Sequence, residues 1–226
     1  MFEDALGYPL EGDSIEPLAI GSILLLFSWL LIPIIPVAGY LIRVINRSAS
    51  GEKTPPAFDD WGELFKNGIF AIVIGIVYNL IPTIVAIGIF MTLGGVGLLT
   101  GDAGAGIASM LMGLAGAFLA ASVLYLIAMY FVPAALANFA ETDRFGAAFS
   151  LGRIKDICLS GSYAKAWIMA FIIVFAANFV ANIILGILSF IPILGTIVGG
   201  LIAVPIVFYG TMAAYFLYGR GVAGAN

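Results

Sequence analysis

From Asn67 to Ala140 the chain carries a single charged side chain, Asp102, and no water-soluble fold of this size hides so long an uncharged run. The rest of the sequence agrees, with 62% hydrophobic and only 10% charged residues, where soluble domains average about 25% charged. Such a chain buries its apolar surface in a bilayer. A helix needs about 20 apolar residues to cross the hydrocarbon, and five stretches meet that demand: 18–45, 68–93, 107–139, 163–190 and 196–218. The expected fold is all-α: a polytopic transmembrane helical bundle of about five spans, with the lipid bilayer as its main partner. It reads as one integral membrane domain over residues 1–226. The first stretch contains Pro33 and Pro36 and predicts one kinked span, whose last turns carry Tyr40, Arg43 and Arg47 into the interface.

Two polar segments, 46–67 and 140–162, interrupt the apolar runs. In the first, Thr54-Pro55-Pro56 cannot continue a helix, because neither proline offers an N–H and each drives its predecessor toward extended backbone. Asp59 then stands as an N-cap, with Asp60 and Glu63 in the first turn, where the helix dipole favours acids. Trp61, Leu64 and Phe65 share one face, which predicts a short helix on the membrane surface. The second segment repeats this character with Phe145, Phe149 and Ile154 beside Arg144, Arg153 and Lys155. Two short cytoplasmic interfacial helices follow. Arg47 is placed to pair with Asp59 or Asp60 across the first segment.

In the five-span scheme all nine lysines and arginines fall on one side, which the positive-inside rule makes cytoplasmic. The acidic leader, residues 1–17, lies outside, and the carboxyl terminus inside, a cell membrane. A faint internal echo lays residues 35–47 on 132–144, so that Pro36 meets Pro133 and Arg47 meets Arg144. That pattern is a parallel repeat of two helices and a surface segment.

Candidate chemistry is sparse. There is no histidine, and the one cysteine, Cys158, has no partner for a disulfide or a thiolate metal site. Away from the interfacial ends of the spans, where Arg43 and Lys165 lie, there is no ionisable group of the kind that marks relays and pumps. The expectation is a non-enzymatic protein with no cofactor and no metal, and a pI of 4.6 argues against nucleic acid. The polar side chains left inside the spans include Asn79, Asn178 and Asn182, the last two on one helix face. They read as interhelical hydrogen bonds or, alternatively, as the lining of a small permease or channel subunit. The leading expectation is a protein that docks a protein partner, or a second copy, or organises the membrane, through its cytoplasmic segments, with Arg47, Asp59, Asp60, Trp61, Glu63, Phe65 and Arg144 as the docking residues. The small-residue faces at Gly113, Ala117 and Ala121 and at Gly195 and Gly199 read as close helix packing. The glycine-rich run 94–106 lacks a P-loop lysine and reads as an external turn.

YPLEGD (residues 8–13), GYLIRV (39–44), PPAFDDWGELFKNG (55–68), PAALANFA (133–140), RFGAAFSLGRI (144–154) and SFIPILG (189–195) together resemble an uncharacterised, largely archaeal family of multi-pass membrane proteins catalogued as domain of unknown function 4013. The resemblance runs through nearly the whole chain. It implies a compact membrane domain and no catalytic or binding residues to carry over.

Overall fold

The computed structural model describes residues 1–12, 15–99, 102–191 and 193–225. Asp13 of the leader, Gly101 of the glycine-rich run and Pro192 of the last turn lie outside them. The helices, in order, are α1 (Phe2–Gly7), α2 (Ile15–Leu26), α3 (Ile34–Ala49), α4 (Trp61–Ile89), α5 (Ala103–Thr142), α6 (Leu151–Leu159), α7 (Gly161–Leu188) and α8 (Leu194–Ala223). Short 3-10 turns lie at Tyr8–Leu10, Ser28–Leu30, Val96–Leu99 and Phe145–Phe149, and a π turn at Phe90–Gly94. Four helices, α4, α5, α7 and α8, are long and apolar enough to cross a membrane. The chain is an all-α membrane protein.

The first predicted span is the departure. It is two helices, about 18 Å and 24 Å long at 1.5 Å per residue, and neither crosses a bilayer alone. Between them the chain passes through the Ser28–Leu30 turn, a left-handed Leu31 (φ 65°) and Pro33, which takes the N-cap of α3. Pro36 sits in the first turn of α3, where a missing N–H costs no hydrogen bond. The two prolines therefore start a second helix instead of bending the first.

The chain divides into two compact units, residues 1–72 with 134–226 and residues 73–133. The first is built around α8, the most buried of the four long helices. Glycines set its spacing: a Cβ at Gly210 would lie 2.5 Å from Ala177 Cβ, and one at Gly221 2.6 Å from Ala166 Cβ, so α7 and α8 touch closely. On another side, α2 and α3 form a hairpin along α8. Tyr8 stacks on Phe216 at 4.4 Å, and Gly21 packs against the Phe208 ring. Ser28 faces a cavity with Val204, and Tyr40 then returns to Phe208 at 6.2 Å. Ser48 closes the path against Gly219. The path runs along α8 from Phe216 to about Val204 and back to Gly219. The leader and the loop after α3 thus share one end of this unit.

In the same unit α3 meets α4 backbone to backbone. A Cβ at Gly39 would strike the Leu64 carbonyl, and one at Gly68 the Ile35 carbonyl. The helix expected on the membrane surface near Trp61 is the opening of α4 itself, since nothing between Lys66 and Gly68 breaks it. The second expected surface helix is α6, ended by Ser160 in extended conformation; Ser160 Oγ accepts the Tyr163 N–H and caps α7.

In the second unit, residues 73–133 pair the later part of α4 with most of α5. Thr83 Oγ1 and Tyr125 Oη lie 2.8 Å apart, and a Cβ at Gly113 would lie 2.6 Å from Gly94 Cα. Asp102 Oδ1 accepts the Ala105 N–H at 3.0 Å and caps α5.

Candidate functional site

At the polar end of the first unit, one residue of α3 draws together the loop after it and the start of α4. Arg43 is only 11% exposed. Its Nη1 donates to the Ala57 and Asp59 carbonyls at 3.1 Å each and to Asp59 Oδ1 at 2.5 Å, and its Nη2 donates to Glu63 Oε2 at 2.9 Å. One planar guanidinium thereby folds the loop after Pro56 over α3 and ties it to the first turn of α4, a task its fork geometry suits. Phe58 completes the anchor: it is 8% exposed and stacks on Tyr40 with ring centroids 4.0 Å apart and planes 6° apart. With Asp59 taken by Arg43, the cap of α4 passes to Asp60, whose Oδ1 receives the Glu63 N–H at 3.4 Å. Asp60 adopts φ 46°, a left-handed conformation that aspartate tolerates.

Beside this loop lies a polar cavity of about 180 Å³ walled by Arg43 and Asn46 of α3, Glu63 and Asn67 of α4 and Asp143 just after α5. Asn46 Nδ2 donates to the Ala140 carbonyl at 2.7 Å and fixes the floor. Lys66 Nζ stands 3.5 Å from Asp143, which is itself left-handed at φ 50°. Asn67 is 7% exposed; its Nδ2 faces Glu63 Oε1 at 3.5 Å, and its Oδ1 is buried without a hydrogen-bond partner. Around the cavity, Asp59, Glu63 and Asp143 stand against Arg43 and Lys66, so carboxylates exceed cations. An acceptor-rich wall with an unsatisfied amide oxygen suits a cationic hydrogen-bond donor.

Of the residues expected to dock a partner, Asp59 and Glu63 converge here through Arg43. Trp61 is 44% exposed and tilted against Phe58 at 6.1 Å, outside the lining of the cavity, and Phe65 is half-buried. Arg47 does not pair with Asp59 or Asp60; it binds Glu52 at 2.9 Å, because the fork of Arg43 lies closer to the acids of α4. Arg144 is exposed, and its side chain makes no ion pair among the described residues. The leader, expected on the far side from this loop, joins it: Lys53 Nζ lies 3.2 Å from Asp4 Oδ1, a consequence of the α2–α3 hairpin. The hydrogen bond from the N-terminal ammonium, and then Lys53, hold the Asp4 carboxyl below its ordinary range. Cys158 is a buried thiol, pushed up to about 11 by desolvation.

Asn79, Asn178 and Asn182 each donate within their own helix. Asn79, in the second unit, donates to the Gly75 carbonyl of its own helix at 2.7 Å; Asn178 and Asn182 donate to the Val174 and Asn178 carbonyls at 2.8 Å each. The last two do share a cavity. Sequence reasoning passed over Arg43, Phe58, Asn67 and Asp143 as site residues. One signal was present: Arg43 is the only charge in the apolar stretch 18–45.

A family model described as a protein of unknown function, DUF4013, matches residues 22–188. The chain belongs to this family. The matched stretch takes in all five polar residues that wall the cavity, so the charged site lies within the DUF4013 region, while α1 and α8 flank it. No curated protein and no solved structure matches the chain.

Proposed function

We propose that this DUF4013 protein is a non-enzymatic docking protein of the cell membrane, which receives a basic side chain of a protein partner in the cavity between Arg43, Asn67 and Asp143. The observation that carries the reading is the buried, unpartnered Asn67 Oδ1 beside two carboxylates, Glu63 and Asp143. A lysine or arginine entering there gains a neutral acceptor and a charge partner together. Exposed Trp61, against Phe58 of the adjoining loop, supplies an apolar contact, and exposed Arg144 supplies a second polarity to the surface. The positive-inside rule puts this end in the cytoplasm. The α2–α3 hairpin supports placing the leader on that same side, along with the end of α8.

The test is co-purification from native membranes in mild detergent. Asp143→Asn and Trp61→Ala are expected to release a stoichiometric protein partner that Arg47→Ala retains, with all variants eluting as folded protein. Unchanged recovery with Asp143→Asn refutes the site. The alternative reading, a small permease or channel subunit, is favoured by one observation, the cavity beside Asn178 and Asn182.

A further inference from the structure

The second cavity lies deep in a membrane helix. It has a volume of about 310 Å³ and sits where the α2–α3 hairpin reverses, between Ser28 of the turn, Asn178 and Asn182 of α7, and Ala203, Val204 and Val207 of α8. Asn178 stands about 26 Å from the start of α7 and about 15 Å from its end at 1.5 Å per residue, well inside a hydrocarbon layer of roughly 30 Å.

The hydrogen bonding of this cavity is incomplete. Each asparagine spends its amide N–H on a carbonyl one turn back, Val174 O or Asn178 O, at 2.8 Å. Those bonds require Nδ2 to face the helix, so each Oδ1 is turned from it. Among the described residues neither Oδ1 has a donor, and the Ser28 hydroxyl has no partner. In water such groups would be solvated. Inside hydrocarbon an unpaired amide oxygen costs several kcal/mol, so a group that returns the hydrogen bond is strongly favoured there. Two acceptors one helical turn apart, about 5–6 Å between Cβ atoms, face a hydroxyl that can donate or accept. The complementary group both donates and accepts. Among the described residues no carboxylate lines the cavity to neutralise an ammonium, so the site favours an uncharged group, and Leu25, Val204 and Val207 supply the apolar remainder.

We infer that Ser28, Asn178 and Asn182 form a lipid-accessible binding site for the hydroxyl of a membrane-dissolved alcohol, its apolar body lying between α2, α7 and α8. This goes beyond docking at the polar end and is independent of it. The hairpin reversal is what brings Ser28 to α7, so a straight first span would not make the site.

The experiment uses the full chain in lipid nanodiscs and two probes: a long-chain primary alcohol with a diazirine in its tail, and its methyl ether, which keeps the shape and loses the donor. After irradiation, labelling of the α7 and α8 peptides is read by mass spectrometry. The alcohol is expected to label roughly tenfold more than the ether, the net value of one hydrogen bond once the partners the free alcohol finds elsewhere in the membrane are given up. Asn178→Leu with Asn182→Leu brings the alcohol down to the level of the ether. If that pair fails to fold, Asn182→Leu alone, at an exposed position, and Ser28→Ala are each expected to lower alcohol labelling and leave ether labelling unchanged. Equal labelling by alcohol and ether in the wild-type chain, as for a groove that holds only water or acyl tails, overturns the proposal. So does full alcohol labelling in the folded variants.

Discussion

Arg43 and Arg47 are one helical turn apart, both ion-paired, and the structure assigns them very different importance. Arg43→Ala removes two bonds to backbone carbonyls at 3.1 Å and two to carboxylates at 2.5 and 2.9 Å. The carboxylates, Asp59 and Glu63, are 75% and 47% exposed, so they return to water easily and contribute about 0.5 kcal/mol each. The carbonyl bonds share the two Nη1 hydrogens with Asp59 Oδ1 and so contribute about 1 kcal/mol each. The expected loss is about 3 kcal/mol, concentrated in the loop after Pro56 and the first turn of α4. Arg47 and Glu52 are 49% and 42% exposed, and Arg47→Ala is worth at most about 1 kcal/mol. Hydrogen exchange on the purified protein distinguishes the two, because local opening sets the rate of amides in 57–66. Arg43→Ala is expected to speed exchange there by roughly 150-fold, Arg47→Ala by less than about fivefold, and Arg43→Lys by an intermediate amount, since an ammonium keeps the charge and loses the fork. A change under about tenfold for Arg43→Ala, or equal effects from both alanines, would refute the assignment of Arg43 as the organiser of the loop.

Two further outcomes follow from the packing. Gly39→Ala drives a methyl group into the Leu64 carbonyl; backbone yields poorly, so about 3 kcal/mol is lost, whereas Gly75→Ala meets nothing within 4 Å and gains up to about 1 kcal/mol of helix propensity. Thermal unfolding in detergent should move in opposite directions for the two, and equal midpoints would contradict the α3–α4 contact. A cysteine at Leu10, a 58% exposed leader position, is expected to resist a membrane-impermeant maleimide in right-side-out vesicles until they are permeabilised. Labelling of intact vesicles would return the leader to the outer side.

The class of fold was legible because hydrocarbon imposes its own arithmetic: uncharged runs long enough to cross read directly as α4, α5, α7 and α8. Ser160 and Asp102 mark helix starts by ordinary capping chemistry. The first apolar stretch was not legible, since Pro33 and Pro36 are equally compatible with a kink and a reversal. The difference lies in whether α8 offers a surface to return along, and Phe208, seated against Gly21 of α2, and Gly219 provide it. The candidate site shared this fate. Asp59 and Glu63 were visible as acids near a helix start, but Arg43, their partner, stood within an apolar run, and Asn67 gained meaning only when α3 and α5 closed over it. The asparagines misled for the same reason: sequence gives their face, while the choice between a neighbour and the carbonyl one turn back is made by the local rotamer.

The hairpin also sets an order of events during synthesis. Its two helices, α2 and α3, find their packing surface on α8, which leaves the ribosome only after α4, α5, α6 and α7. At about 5–20 residues per second, roughly 10 to 30 s separate the emergence of α3 from that of Phe208. Through that interval the hairpin has two helices too short to cross a bilayer and no finished core to join. Its residence near the membrane surface depends on its own amphipathic face, or on the insertion machinery, until α8 emerges. A nascent chain arrested after α7 would therefore expose its earliest segment to quality-control proteases, and release of α8 is the step that withdraws it.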